Sequence, residues 1–140
     1  AICTSFKQEL LVGTHNFTAT TGNTFKIALF TSSATLGAST TAFATTNEIT
    51  NSSGTAYTSG GATLTNITPT TDSTTAVCDF TDVSFTSASF TANGALIYNS
   101  SASNKAVAVI AFGGDKTVSS GTFTIQFPAA NATDAIIRLA

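Results

Sequence analysis

The chain has no tryptophan, no methionine, only two prolines and one histidine, and its formal charge is confined to five cations and seven acids. Each shortage excludes something. A single imidazole cannot build a multi-histidine metal site, and Cys3 and Cys78 form neither a CxxC pair nor a Cys–His cluster of zinc-binding spacing. The two cysteines allow one intramolecular pairing, but sequence does not give their separation, and two buried free thiols are the simpler expectation. Two prolines exclude a proline-rich stalk. Charged residues make up 9% of the chain, against about 25% in an average domain, so water-facing positions fall to Thr, Ser and Asn. Lys7, Lys26, Lys105, Lys116 and Arg138 are scattered and the net charge is −2, which leaves no phosphate-tracking stripe. Neither nucleic acid nor an anionic membrane surface is an expected partner. The longest apolar run, Ala106–Phe112, falls far short of the roughly 20 residues of a membrane helix. Ala1–Lys7 has no basic or apolar region of the kind a signal peptide needs.

What is present is the inventory of a β protein. Its 140 residues fit one domain that buries roughly two thirds of its unfolded surface. One short helix is expected at the N-terminus, where Ser5 and Gln8 have the spacing of a capping box. Phe6 and Leu10 would share its inner face, and Gly13 would stop it. Phe25–Phe30, Ala62–Ile67, Thr75–Phe80, Val83–Thr91, Ala95–Tyr98, Lys105–Phe112, Phe123–Phe127 and Ala135–Leu139 then read as strands. Asn93–Gly94 predicts a tight turn, Gly113–Gly114–Asp115 a break, and Pro69 a strand end. Ala106–Ala111, apolar at every position, predicts a central strand covered on both faces. These signals give an all-β, single-domain antiparallel β-sandwich over residues 1–140, with a jelly roll as one topology of that kind. Residues 31–59 have no clear period and predict an extended loop or arm. Leu36, Phe43 and Tyr57 are its candidate interaction anchors, and deleting Leu36–Thr55 should leave the domain folded.

Few residues could carry chemistry. His15 is the only candidate base near neutral pH, and no nucleophile elbow accompanies it. Asp79 and Asp82 frame a short Phe–Thr segment and would have to converge for glycoside hydrolysis; turn-forming roles are the commoner use of such residues. Gly113–Thr117 lacks the register of a phosphate loop. Asn16, Asn51, Asn66, Asn99 and Asn131 each open an N-x-[ST] triplet, which chance supplies in so Thr-rich a chain. Catalytic, cofactor and metal residues are therefore not expected. A carbohydrate-binding sandwich would have to rely on Tyr57, Tyr98 and some of the Phe residues.

Five segments, taken in order, resemble a family of small structural proteins from tailed bacteriophages, marine and cyanobacterial ones in particular. They are Phe6–Phe17, Thr24–Thr31, Tyr57–Ala62, Gly94–Asn99 and Phe112–Thr117. The resemblance implies a capsid decoration (cement) protein that binds the phage major capsid protein, forms a homo-oligomer and resides in the virion, assembled in the bacterial host cytoplasm. A tail, fibre or adaptor component is the alternative of the same class.

Overall fold

The computed structural model describes residues 1–50 and 57–140. One helix, α1 (Thr4–Leu11), precedes seven strands: β1 (Phe25–Phe30), β2 (Ala62–Thr63), β3 (Asn66–Asp72), β4 (Thr75–Phe80), β5 (Val83–Asn99), β6 (Lys105–Ile125) and β7 (Ile137–Leu139). They form two antiparallel sheets, a four-stranded one in the order β2-β1-β5-β6 and a three-stranded one in the order β3-β4-β7. The fold is thus an all-β sandwich with one short helix, and its seven strands among the described residues are one fewer than a jelly roll has.

α1 ends where the sequence predicts. Gly13 adopts φ +76°, its N–H donates to Leu10 O, and Thr14 N–H donates to Glu9 O. This double closure of the last carbonyls is a Schellman motif, which a left-handed residue completes. The predicted capping box is absent. Cys3 occupies the N-cap without a side-chain bond, and Ser5 Oγ is buried with no partner. The helix buries Phe6 and, against expectation for an acid, Glu9.

The two sheets meet through phenylalanine. Phe17 stacks on Phe25 of β1 at 4.2 Å between ring centroids, Phe25 lies 5.9 Å from Phe80 of β4, and Phe80 lies 5.5 Å from Phe127. All eleven Phe take part in such aromatic contacts, which explains how a chain without Trp, Met or much Leu fills its core. Each tilted or edge-on pair adds about 0.5–1.5 kcal/mol beyond the area it buries.

Several expectations need correction. Asn93–Gly94 is no turn: it lies inside β5, where Gly94 pairs with both Phe30 and Ala111. A side chain at Gly94 would meet the Ile110 carbonyl at 2.8 Å, so the glycine serves close strand approach. Gly113–Gly114–Asp115 bulges β6 without ending it, because pairing resumes at Lys116 opposite Ala92. The result is one long hairpin, β5–β6, turned at Ser100–Asn104. Pro69 sits within β3, an edge strand, at a register shift between Ile67 and Thr70. The expected Ala62–Ile67 strand divides between the sheets as β2 and β3. Ala106–Ala111 belongs to the edge strand β6, and β1 and β5 occupy the centre. The run is not covered on both faces throughout, since Ala106–Ala108 are buried, Val109 and Ile110 half-buried and Ala111 exposed. Cys3 N–H, donating to Val107 O, and Ala106 N–H, donating to Thr41 O, close the outer edge of its first half. Of the expected Phe123–Phe127 strand, Ile125 and Phe127 are buried and Phe123 is half-buried.

Candidate functional site

Residues 31–50 lie against the body of the protein. Thr31 N–H donates to Asn47 O, Ile49 N–H to Leu29 O, and Phe30 forms a bridge with Glu48, so this segment closes the outer side of β1 beyond short β2. The three anchor candidates turn inward. Leu36 and Phe43 are half-buried against the core, Phe43 stacks on Tyr98 at 4.5 Å, and Tyr57 is only 1% exposed. An anchor for another surface must be accessible, so Tyr57 cannot serve in this form, while Leu36 and Phe43 present only part of their surface. Deleting Leu36–Thr55 would remove Phe43, Glu48 and Ile49 from the packed structure, which argues against a fully stable remainder; residues 51–55 of that span, Asn51 among them, lie outside the described residues.

Glu48 is the feature that reading the sequence missed. It is buried, and its carboxyl gathers three donors. Tyr57 Oη–H and Gly60 N–H both reach Oε1 at 2.6 Å, and Ser59 Oγ–H reaches Oε2 at 3.0 Å. Tyr57 Oη in turn accepts from Leu29 N–H at 3.0 Å, and Tyr98 Oη–H donates to Gly60 O at 2.6 Å. A buried acid is tolerated only when its lone pairs are satisfied in this way. The cluster fastens Tyr57–Gly61 to β1. Burial first, and the bond to Glu48 second, raise the Tyr57 phenol above its ordinary value of 10.0. Burial and the charge of Glu48 push Tyr98 up to about 12.

A second polar cluster surrounds His15. Nε2 lies 2.7 Å from Glu9 Oε2, Nδ1 lies 2.9 Å from Asn99 Nδ2, and Lys105 Nζ approaches Glu9 Oε1 at 3.4 Å. The backbone assigns the protons. Asn99 Oδ1 accepts from Ser101 N–H, Asn99 Nδ2 also donates to Asn23 Oδ1, and Asn23 Oδ1 accepts from Asn16 N–H. Asn99 therefore donates to His15 Nδ1, and the ring carries its proton on Nε2, donated to Glu9. With both nitrogens engaged and the side chain fully enclosed, His15 has no lone pair to offer a substrate.

The other acids hold single hydrogen bonds, most of them at the surface. Asp79 accepts from Phe80 N–H and Asp82 from Phe127 N–H, both at 2.8 Å; the two hold separate backbone amides. Asp72 accepts from Ala132 N–H, Asp115 from Asn93 Nδ2 and Asp134 from Asn131 Nδ2. Among the described residues no three His, Cys, Asp or Glu side chains group as metal ligands. Cys3 and Cys78 are buried free thiols. Burial raises both, Cys78 to about 12, which leaves little thiolate near neutral pH. Asn99 is fully buried, so its N-x-[ST] triplet cannot carry a glycan as folded, and Tyr57 and Tyr98 offer no exposed ring to a sugar.

Some of the accessible hollows are polar, lined largely by Thr, Ser and Asn, and two of the larger ones are apolar. One of about 450 Å³ lies between α1 with its following loop and the three-stranded sheet, lined by Phe6, Leu10, Phe17, Val77, Ile137 and Leu139 among others. Another of about 460 Å³ lies beside the β6 bulge, lined by Ile110, Phe112, Phe123, Phe127 and Ile136. Among the described residues no helix is long and apolar enough to cross a membrane. This chain matches no protein-family model, no curated protein and no solved structure, so the sequence and its geometry must carry the functional reading.

Proposed function

We propose that the chain is a non-enzymatic structural protein of a phage virion, a capsid decoration protein that binds the shell and stabilises it. One observation supports the non-enzymatic part: none of the seven acids lines a hollow, and the single imidazole, which lies at the hollow beside α1, has both ring nitrogens engaged within the chain. General acid–base catalysis at neutral pH needs a titratable group within reach of a reacting atom. A protein that covers a repeated surface needs instead a rigid body and uncharged contact area, and a Thr- and Ser-rich exterior with two apolar hollows fits that need. The resemblance to small phage structural proteins supplies the partner, the major capsid protein, and a homo-oligomeric arrangement on the shell. A binding role in tail, fibre or adaptor has the same chemical requirements.

The test is electron cryo-microscopy of the particle with this chain tagged. Density for the fold repeated over the shell is the expected result. Density at one vertex would assign it to the tail apparatus, and its absence from purified particles would overturn the virion reading.

A further inference from the structure

We propose that the hollow between α1 and the open edge of β7 seats an extended segment of a partner protein, which adds to β7 as a further strand. The segment carries apolar residues at alternate positions and an acidic residue beside them. The proposal deepens the protein-binding reading above and rests on it.

Sheet order comes first. β7 has β4 on one side, and no strand among the described residues pairs with its other side. Its outer N–H and C=O groups are therefore available to an added strand. Strand alternation then sets the side chains. Ile137 and Leu139 share one face, opposite to Arg138. Both line a hollow of about 220 Å³ whose far wall is Phe6, Leu10 and Leu11 of α1. A strand laid beside β7 would send every second side chain into that same hollow. Its size suits side chains, since one water molecule takes about 30 Å³.

The exposed surface points the same way. Four large apolar residues are exposed, and three lie here: Leu11 at 88%, Val12 next to it at 66%, and Leu139 at 58%. No intramolecular need accounts for leaving them in water, and such clustering marks contact surfaces. Charge then selects the occupant. Lys7 lines the hollow and Arg138 borders it from the opposite face of β7, and neither is ion-paired among the described residues. Arg138 makes a hydrogen bond to the Ala132 carbonyl, which leaves its charge unneutralised. A two-fold contact with a second copy would set these cations against their own equivalents, which opposes self-pairing. An acidic residue in the added strand would answer them.

The probe is the acetylated, amidated hexapeptide TITLTD, compared with its basic twin TITLTK, titrated into the isotope-labelled full chain and followed by amide NMR shifts. The expected result is shifts at Ile137–Leu139 and along α1, with TITLTD binding at least fivefold more tightly than TITLTK. Lys7→Glu should reverse that preference. Leu11→Gln with Leu139→Thr should weaken TITLTD at least tenfold at unchanged melting temperature, because both side chains are largely exposed. Shifts elsewhere, no shifts, or equal binding of the two peptides would overturn the proposal. So would concentration-dependent dimerisation that the double variant abolishes, which would make a second copy the occupant. Sedimentation with capsid shells separates this proposal from the one above. If both wild type and double variant bind shells, the groove assignment falls and the virion reading stands. If the peptide results hold and wild type binds no shells, the groove stands and the capsid assignment falls.

Discussion

Tyr57→Phe isolates the contribution of one hydroxyl to this fold. The ring is 1% exposed and stays in place as Phe, so no cavity opens. Two interactions vanish. Leu29 N–H, which donates to Tyr57 Oη at 3.0 Å, is left without a partner inside the sheet, and an orphaned buried donor costs about 1–3 kcal/mol. Glu48 loses one of its three donors, a bond of the charged-acceptor kind that contributes about 1.5–3 kcal/mol. Since Gly60 N–H and Ser59 Oγ–H remain on the carboxyl, the two losses overlap and the net cost should be about 2–4 kcal/mol. For a chain of this length 1 kcal/mol corresponds to about 3 °C, so the melting temperature should fall by roughly 6–12 °C. Chemical denaturation with a shared m-value checks the free energy. Glu48→Gln and the double variant complete a cycle whose coupling energy should exceed about 1 kcal/mol. A loss below about 0.5 kcal/mol for Tyr57→Phe, or zero coupling with Glu48, would refute the idea that this cluster fastens residues 57–61 to β1.

Two further predictions rest on features described above. Tyr98 and Cys78 each keep their proton in the folded state up to about pH 12, whereas the unfolded chain releases it near the ordinary values of 10.0 and 9.0. The unfolded state then binds fewer protons, so this contribution is fully present below pH 9 and is lost as pH rises towards 12. Melting temperature should fall through that window and tyrosinate absorbance should appear together with unfolding; a gradual titration of both tyrosines near pH 10 in folded protein would contradict it. Among the glycines, Gly61→Ala should prevent folding or cost several kcal/mol, because φ is +79° and the new Cβ would lie 1.8 Å from the Ile27 carbonyl oxygen. Gly13→Ala, at φ +76° in open space, should cost only about 1 kcal/mol. Equal costs at the two sites in thermal melts would refute the steric argument.

The sequence revealed local order better than partnership. The helix stop at Gly13, the strand Phe25–Phe30 and the closing strand near Ile137 each follow from a few adjacent residues, and all three are present. Asn93–Gly94 misleads because a turn signal competes with pairing on both sides: β1 and β6 flank Gly94, and the backbone stays extended. Ala106–Ala111 reads as central because it is apolar at every position, yet it lies at the sheet edge, where backbone bonds from residues 1–3 and 41–43, remote in sequence, close part of it. The same remoteness hid the polar clusters. Glu48 with Tyr57, and His15 with Asn99, acquire meaning only when the sheet brings them together. A lone acid in a Thr-rich stretch and an Asn opening an N-x-[ST] triplet carry no signal of burial.

The closure of β1 by residues 47–49 and Tyr57 also bears on solubility. Phe25–Phe30 is a six-residue run of high β-propensity with one charge and no proline, the composition of a segment that stacks on its own copies. In the folded protein part of its outer side is occupied by residues 47–49 and the Tyr57 hydroxyl, which a local opening could release. Loosening that cover would expose a ready template for intermolecular pairing, and a net charge of −2 offers little repulsion to oppose it. Near the isoelectric point of about 4.9 even that repulsion disappears. The Thr-rich stretch that reads as an extended loop or arm therefore also covers, in this fold, the strand edge best suited to intermolecular pairing.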